Sequence, residues 1–555
     1  MRRLLLPITV AALAIAAVAP AAAGADSSLT GRLLVKLRTH GVSWSALTTS
    51  VAARAGARRS GRDVRQIGLL TVRPRRGDTL RALRARLLRD PRVVRVETET
   101  RARPRLVPND PALRMPETWP GTAPGTVREW WASPAGFPAA WTLSRGSGVK
   151  VAVIDSGIDN THPDLDRGRV TLAKSFDPEH PDADIDELGH GTHVASLACG
   201  TADNGVGIAG AGYGCSILNA KTSFDDSQVA AAVEWATDEG AKVINMSFGS
   251  RPGITPRATV EDALRRAVHR GVVLVAAAAD TAETDQGHPA NILQPTGTGP
   301  DLDEGLGLSV TVADAADAPG DFGFGPQISL AAYGSYDGQS GPPGILGAYP
   351  ATQPTGFELP DPLTGRPPCG CRTDLAGDPR YAYLQGTSMA AALVSGAAAL
   401  VRSLNPGLGA RQVVRLLKET ARRPGGGGWT SELGWGILDA GAAVAKARTL
   451  DVTAPTSKVK ALPARVRKRL LSIGFVTSDE GPSRVRQTGV SRVDVFMRVD
   501  RGRMKRIASV RDGKRPRPIK LQPGHRYGFA TRAFDAAGNR EAMPTRPDRS
   551  ILVVG

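Results

Sequence analysis

VIDSGID, residues 153–159, brings an aspartate to the end of a buried strand. Val151 to Ile154 is an unbroken apolar run rich in β-branched residues, and Asp155-Ser156-Gly157 turns the chain away from it. A strand apolar on both faces belongs to a parallel sheet covered by helices. Downstream, GHGTHVAS at 189–196 sets His190 between Gly189 and Gly191, which let the chain pass closely around it. GTSMA at 386–390 places Ser388 before the alanine-rich run Ala390 to Leu400, which reads as a buried helix with the serine at its positive N-terminal end. Each of the three residues alone would be structural far more often than chemical. Together they are the parts of a charge-relay hydrolase: a serine that needs a base, a histidine to take its proton, and an acid to fix the histidine tautomer.

The surrounding sequence alternates strands with helices. Val170 to Ser175, Ser216 to Lys221, Lys242 to Met246, Val272 to Ala277 and Leu308 to Val312 read as further buried strands. Ser227 to Asp238 and Pro256 to Arg270 read as helices between them, and Val413 to Ala421 and Ala440 to Ala447 as closing helices. The pattern predicts an α/β fold, a parallel sheet with helices on both faces. Residues 278–385, rich in Gly and Pro, are expected to be mostly surface loops.

In their order and context the three motifs resemble the subtilases, the subtilisin-like serine peptidases, whose triad runs Asp, His, Ser. The resemblance extends through His162-Pro163-Asp164-Leu165 and Val243-Ile244-Asn245-Met246-Ser247-Phe248-Gly249, and covers roughly Pro108 to Arg448. It implies Asp155, His190 and Ser388 as catalytic residues, with His193 and His162 structural. It implies an extended peptide substrate bound along Ser247, Phe248 and Gly249, with Ala277 to Ala279, Ala278 among them, as the other wall of the P1 pocket. Main-chain pairing of this kind favours broad endopeptidase activity. It also implies structural calcium held by Asp110, Asp164 and Asn204 with carbonyls of the loop Thr201 to Ile208. Asp177, Asp182, Asp184 and Asp186 suit either a second, weaker cation site or an acidic lip favouring basic residues near P2.

Two positions depart from the family pattern. Where the family reads Ala-Ala-Gly-Asn, this chain reads Ala277-Ala278-Ala279-Asp280, so a carboxyl stands where an amide would donate to the oxyanion hole. Loss of that donor costs roughly 10² to 10³ in turnover, a value that comes from a subtilisin. Some kexin-like convertases resemble this chain in carrying aspartate here. After Ser388 the family continues Ala-Pro-His, and this chain Ala391-Ala392-Leu393. These departures admit an alternative, a weakened or inactive subtilase that serves as a peptide-binding scaffold.

The flanking segments differ in kind. Residues 1–25 read as a secretory signal peptide: Arg2 and Arg3, an apolar stretch from Leu4 to Val18, then small residues. Secretion is therefore expected. The formal charge of +18 divides sharply. Residues 26–105 carry 20 basic and 6 acidic side chains, net +14; residues 106–450 carry 25 and 38, net −13; residues 451–555 carry 24 and 9, net +15. Because the basic charge lies outside the motif-bearing region, a nucleic-acid partner is not expected of it. Residues 26–105 predict two or three strands, at Arg32 to Leu37, Ile67 to Val72 and Val93 to Glu97, and a helix at Leu80 to Leu88. They resemble the subtilase propeptide, a small α+β inhibitor and folding chaperone of its own enzyme, and the opposite charges favour such docking. Autocleavage is expected between Glu99 and Pro108. Residues 106–450 form the peptidase domain in this reading. Residues 451–555, with strands at Val493 to Val499 and Tyr527 to Phe534, resemble a fibronectin type III or immunoglobulin-like β-sandwich whose charge suits an anionic cell-wall polymer. Four cysteines in a secreted chain permit three pairings; Cys199 with Cys215, and Cys369 with Cys371, are neighbours in sequence. The protein is expected to be a monomer acting on protein or peptide substrates.

Overall fold

The computed structural model describes residues 29–555 except 40–42, 62, 101–106, 166–167, 252, 255–257, 295–300, 338–339, 362–366, 468 and 482–486. The leader at 1–25 and most of the expected cleavage stretch lie outside the described residues. The chain divides into two compact units, one through Arg105 and one from Leu106.

The first unit has a four-stranded antiparallel sheet in which Leu29–Leu37 pairs on one side with Leu69–Arg73 and on the other with Val93–Thr100; Arg58–Arg59 adds an edge. Two helices, Trp44–Arg54 and Leu80–Leu87, cover it, and Leu33, Val35, Val51, Leu70 and Leu83 fill the core. The helix at Trp44–Arg54 was not expected from sequence. Its Ser and Thr content weakens the periodic signal, and burial of Leu47, Thr48 and Val51 against the sheet holds it in place.

In the second unit a seven-stranded sheet runs in the order Leu330–Tyr333, Leu308–Ala313, Val273–Ala277, Val243–Met246, Lys150–Asp155, Ser216–Lys221, Val170–Ser175. Every pair is parallel. Side chains alternate between two cores, as the two-residue strand period requires. Val151, Val153, Val243 and Val275 face the core that holds helices His190–Cys199 and Thr387–Leu404. Ala152, Ile154, Ile244 and Leu274 face the one that holds Asp226–Asp238 and Ala258–His269. The expected α/β architecture is thus present. Lys150–Asp155 sits where the strand order reverses, and the crevice at the carboxyl ends of such strands is where α/β folds bind ligands.

The expectation of surface loops across 278–385 is corrected. Leu330–Tyr333 is a fully buried edge strand, and Ile345–Ala348, Arg372–Leu375 and Asp378–Leu384 form a three-stranded antiparallel sheet. Tyr333, Tyr349, Tyr381 and Ile345 are all buried in the main core. Three of these strands have only four residues, too short to declare a period.

Beyond Asp451 the chain is all β. A five-stranded sheet includes Val490–Val499, Lys505–Arg511, Arg526–Asp535 and Arg549–Val553, with two-stranded ladders at Thr456–Val459/Phe475–Ser478 and Leu470–Leu471/Ile519–Lys520. Val459, Val495, Phe529 and Ile551 form its core. Both local cysteine pairs are disulfides, Cys199–Cys215 and Cys369–Cys371.

Candidate active site

The three motif residues are delivered by three elements whose ends meet at the carboxyl edge of the sheet. Asp155 is the last residue of its strand, His190 the first of its helix, and Ser388 the second residue of Thr387–Leu404. Asp155 Oδ1 lies 2.7 Å from His190 Nδ1 and also accepts the Ser156 N–H at 2.8 Å. A carboxylate at Nδ1 fixes the proton there and leaves Nε2 as the acceptor. The glycines of GHGTH have a steric reason. A Cβ on Gly191 would stand 2.1 Å from the Gly157 carbonyl oxygen, and one on Gly189, at φ +88°, would stand 2.6 Å from the Tyr349 ring.

Burial alone would push the His190 imidazole down, but the Asp155 charge and hydrogen bond, with the charges of Asp186 and Asp280, outweigh it and leave the group above its ordinary value. Asp186 is a residue that sequence reasoning placed in either a weaker cation site or an acidic lip. Instead it is buried: Oδ1 accepts from the Ser156 hydroxyl (2.8 Å) and Gly189 N–H (2.9 Å), and Oδ2 from the Thr192 N–H (2.8 Å) and hydroxyl (2.7 Å). Its carboxylate satisfies otherwise unpaired groups at the start of the histidine helix and ties that helix to the turn after Asp155. The signal for it was Thr192 inside the histidine motif, six residues on.

Ser388 and Ser247 clasp each other. The Ser388 hydroxyl donates to the Ser247 carbonyl at 3.0 Å, and the Ser247 hydroxyl donates to the Ser388 carbonyl at 2.8 Å. Behind them Asn245 Nδ2 donates to Ser247 Oγ (2.9 Å), and Ser395 Oγ donates to Asn245 Oδ1 (2.8 Å). Each bond contributes on the order of 1 kcal/mol, and cutting this buried chain would cost more, because its members would be left without partners. In this state the serine hydroxyl is engaged with the Ser247 carbonyl, so its proton has to leave that carbonyl to be offered to the histidine.

Asp280 stands at the head of the serine helix. Its Oδ1 accepts the Thr387 N–H and the Thr387 hydroxyl, each at 2.8 Å, while that hydroxyl also lies 2.8 Å from the Ala278 carbonyl. One carboxyl oxygen is therefore spent on the helix N-terminus. The cleft around Ser388, about 410 Å³, is lined by Ser247, Phe248 and Gly249, by Ala277 to Asp280, and by His190 with Leu188 and Phe357. The expected substrate-binding residues thus share one cleft with His190 and Ser388.

The subtilase family model matches residues 146–436, more than half of the chain. The chain belongs to the subtilase family. It is 32% identical over 321 residues to subtilisin Savinase of Lederbergia lenta, spanning 57% of this chain and 97% of that one. It is equally 32% identical over 324 residues to fervidolysin of Fervidobacterium pennivorans, covering 55% of this chain and 42% of the longer relative. The crystal structure of fervidolysin, described as a keratinolytic enzyme related to subtilisin, aligns over 95% of this chain and 78% of its own with a TM-score of 0.46 and 22% identity. The family is that of the subtilisin-like serine endopeptidases.

In this subtilase His193 and His162 are packed, as expected of structural residues. His193 Nε2 lies 3.1 Å from the carbonyls of both Ile345 and Ala382, and burial pushes it down to about 3. His162 Nε2 lies 2.8 Å from the Arg380 carbonyl, and burial pushes it down to about 4. Leu393, where the family has histidine, is fully buried in the main core.

The calcium expectation meets a different donor set. Asp110, Asp164 and Asn204 do gather at one loop, but the Asp164 oxygens accept from Ile208 N–H (3.1 Å), the Tyr381 hydroxyl (2.9 Å) and Asn204 Nδ2 (3.5 Å). The Asn204 amide oxygen accepts the Val206 N–H, and Asp110 Oδ2 the Asp203 N–H. Each of these donors meets one oxygen, and a carboxylate oxygen that accepts an N–H keeps a lone pair for a cation, so the donors do not by themselves fill the site. A buried acid that the sequence reading passed over, Glu129, lies in the same neighbourhood; burial pushes its carboxyl well up, and the Asp110 and Asp164 charges push it further. Asp110 Oδ1 and Glu129 Oε1 are buried without a hydrogen-bond partner. Among the described residues the carboxylates close enough to share one ion, with oxygens within 4.8 Å, are instead Asp451, Asp479 and Asp535. These accept backbone N–H groups of Thr453, Thr488, Gly489 and Asn539 and fasten the entry to the C-terminal β region. The other expected acidic group does not converge on a cation. Asp177 takes the Glu179 N–H, His180 and the Ser223 hydroxyl, and Lys221 Nζ binds the carbonyls of Asp182 and Ile185 and the Glu187 carboxylate.

Proposed function

We propose that this subtilase is a secreted serine endopeptidase that cleaves peptide bonds through Ser388, His190 and Asp155. The observation that carries the reading is the 2.7 Å contact of Asp155 with His190 Nδ1 in a cleft that also holds Ser388. Asp155 keeps the proton on Nδ1 and stabilises the imidazolium. His190 Nε2 takes the Ser388 proton as the hydroxyl attacks the carbonyl carbon, then returns it to the leaving amine. The acyl-enzyme is hydrolysed by water along the same path in reverse. Ser388, second in its helix, has a backbone N–H of the kind a helix cannot satisfy internally, which suits it to the developing oxyanion. Asp280 opposes that charge whenever it is ionised. The substrate lies extended along Ser247 to Gly249, with its P1 side chain between Gly249 and Ala277 to Ala279.

Residues 26–105 act as propeptide in this reading, on the strength of their sequence resemblance and of a net +14 opposite in sign to the −13 of residues 106–450. The segment from Asp451 is read as an immunoglobulin-like or fibronectin type III module whose basic surface suits anionic polymers. A structural calcium at Asp110, Asp164 and Asn204 belongs to the reading, supported by the buried Asp110 and Glu129 oxygens in that neighbourhood that have no hydrogen-bond partner. Incubating the secreted protein with a denatured protein substrate tests the proposal: new peptide termini are expected, and Ser388→Ala abolishes them. Peptides bound at the cleft but left uncut at every pH would favour the scaffold reading.

A further inference from the structure

Between strands Ile345–Ala348 and Arg372–Leu375 the described residues leave the sheet, and several bonds fasten them to one another and to the residues before the histidine motif. Tyr349 N–H donates to the Arg380 carbonyl (2.8 Å), and its hydroxyl meets Thr355 Oγ1 at 2.7 Å. Thr355 and Glu358 form a capping box, with the Thr355 N–H on Glu358 Oε2 at 2.9 Å. Arg372 grips both Glu358 oxygens, at 2.7 and 2.9 Å, while its guanidinium lies 4.7 Å from the Tyr349 ring centre. The Gly356 N–H donates to the Glu187 carbonyl at 2.7 Å, the Phe357 N–H to Leu188 at 3.4 Å, and the Cys369 N–H to Phe357 at 2.9 Å. This strap therefore runs directly against the residues that precede His190.

One side chain gains from the fastening. The Phe357 ring centre is 5.9 Å from that of His190, and Phe357, Leu188 and His190 all line the cleft. Phe357 and Leu188 are both partly exposed. In an extended substrate successive side chains point to opposite sides. With P1 inserted between Gly249 and Ala277 to Ala279, the P2 side chain projects the other way, toward the histidine.

We propose that the strap makes Phe357, with Leu188, the wall of an apolar S2 subsite, so that the enzyme selects a large apolar residue such as Leu or Phe at P2. The inference rests on the peptidase reading for the direction of the substrate, and it supplies what broad main-chain pairing lacks, a side-chain filter. An acidic or basic P2 residue would be stripped of water against two hydrocarbon surfaces. Of the acidic residues expected to draw basic P2 side chains, Asp177 is engaged with His180, Asp182 with the Asp184 N–H and Asp186 with Thr192.

The test uses peptides of one sequence varied only at P2 or P1′, made with a reduced, uncleavable scissile bond, and bound to the secreted protein by fluorescence anisotropy; hydrolysis of the natural-bond versions is followed in parallel. A P2 Leu peptide is expected to bind on the order of 30-fold tighter than its P2 Gly or P2 Asp counterpart. In Phe357→Ala and in Leu188→Ala that ratio should fall below about 5-fold, and Phe357→Leu should retain most of it. A flat P2 profile overturns the proposal, and so does discrimination that appears at P1′ rather than P2. P2-dependent binding without any hydrolysis would sustain the subsite and refute the peptidase reading, so the two failures are separable.

Discussion

At Asp280 a carboxyl stands beside the site where negative charge develops, and its two effects on the reaction share a sign. Ionised, it disfavours the oxyanion; it is also among the charges that hold His190 above its ordinary value, so more of the base is protonated near neutrality. Asp280→Asn removes the repulsion, adds an amide donor, and lets the imidazole pKa fall. Expected in consequence are a rise in kcat of tenfold or more and an acid limb of the kcat/KM profile displaced to lower pH. A pH–rate profile of the two proteins checks both, and an unchanged limb with a lower rate would refute the account of this residue. Sequence carried the reading this far because Asp280 follows a recognisable strand, Val273–Ala277. It did not carry Asp186, whose four bonds depend on the turn after Asp155 and the start of the histidine helix being brought together.

Among the elements, long strands and helices with apolar periods were legible: Ser216–Lys221 and Ala440–Ala447 fall where their residues predict, and Thr387–Leu404 extends the predicted run by a turn at its C-terminus. The strap was not, because its shape comes from Glu358–Arg372, Tyr349–Thr355 and backbone bonds to Glu187, none of which follows a local period. The loop after the histidine helix illustrates the converse. Asp110, Asp164 and Asn204 were correctly brought to one place by resemblance, while the donors that occupy them, Tyr381 above all, come from a strand far along the chain. With a cation seated beside those donors, calcium raises Tm and a chelator lowers it by several degrees, since an ion at 100 times its Kd adds about 2.7 kcal/mol; a Tm unchanged to within about 1 °C would contradict the site.

On the scale of the molecule, charge and chemistry are partitioned: a basic N-terminal segment, an acidic region that holds the cleft, and a basic C-terminal β region. If the first is a propeptide, the N-terminus of the secreted wild type lies between Glu99 and Pro108, whereas Ser388→Ala retains residues 26–105; identical N-termini would show that Ser388 does not process its own chain. The reactivity of Ser388 is itself a property of the whole fold, since the strand of Asp155, the helix of His190 and the helix of Ser388 are remote in sequence and meet through the sheet. Labelling with a fluorophosphonate reads that assembly in one step, because the probe reacts with a serine hydroxyl only when a neighbouring base activates it. The secreted protein is expected to carry one label, on Ser388, that disappears in His190→Ala; labelling that survives His190→Ala, or an unlabelled wild type at every pH, would contradict the triad.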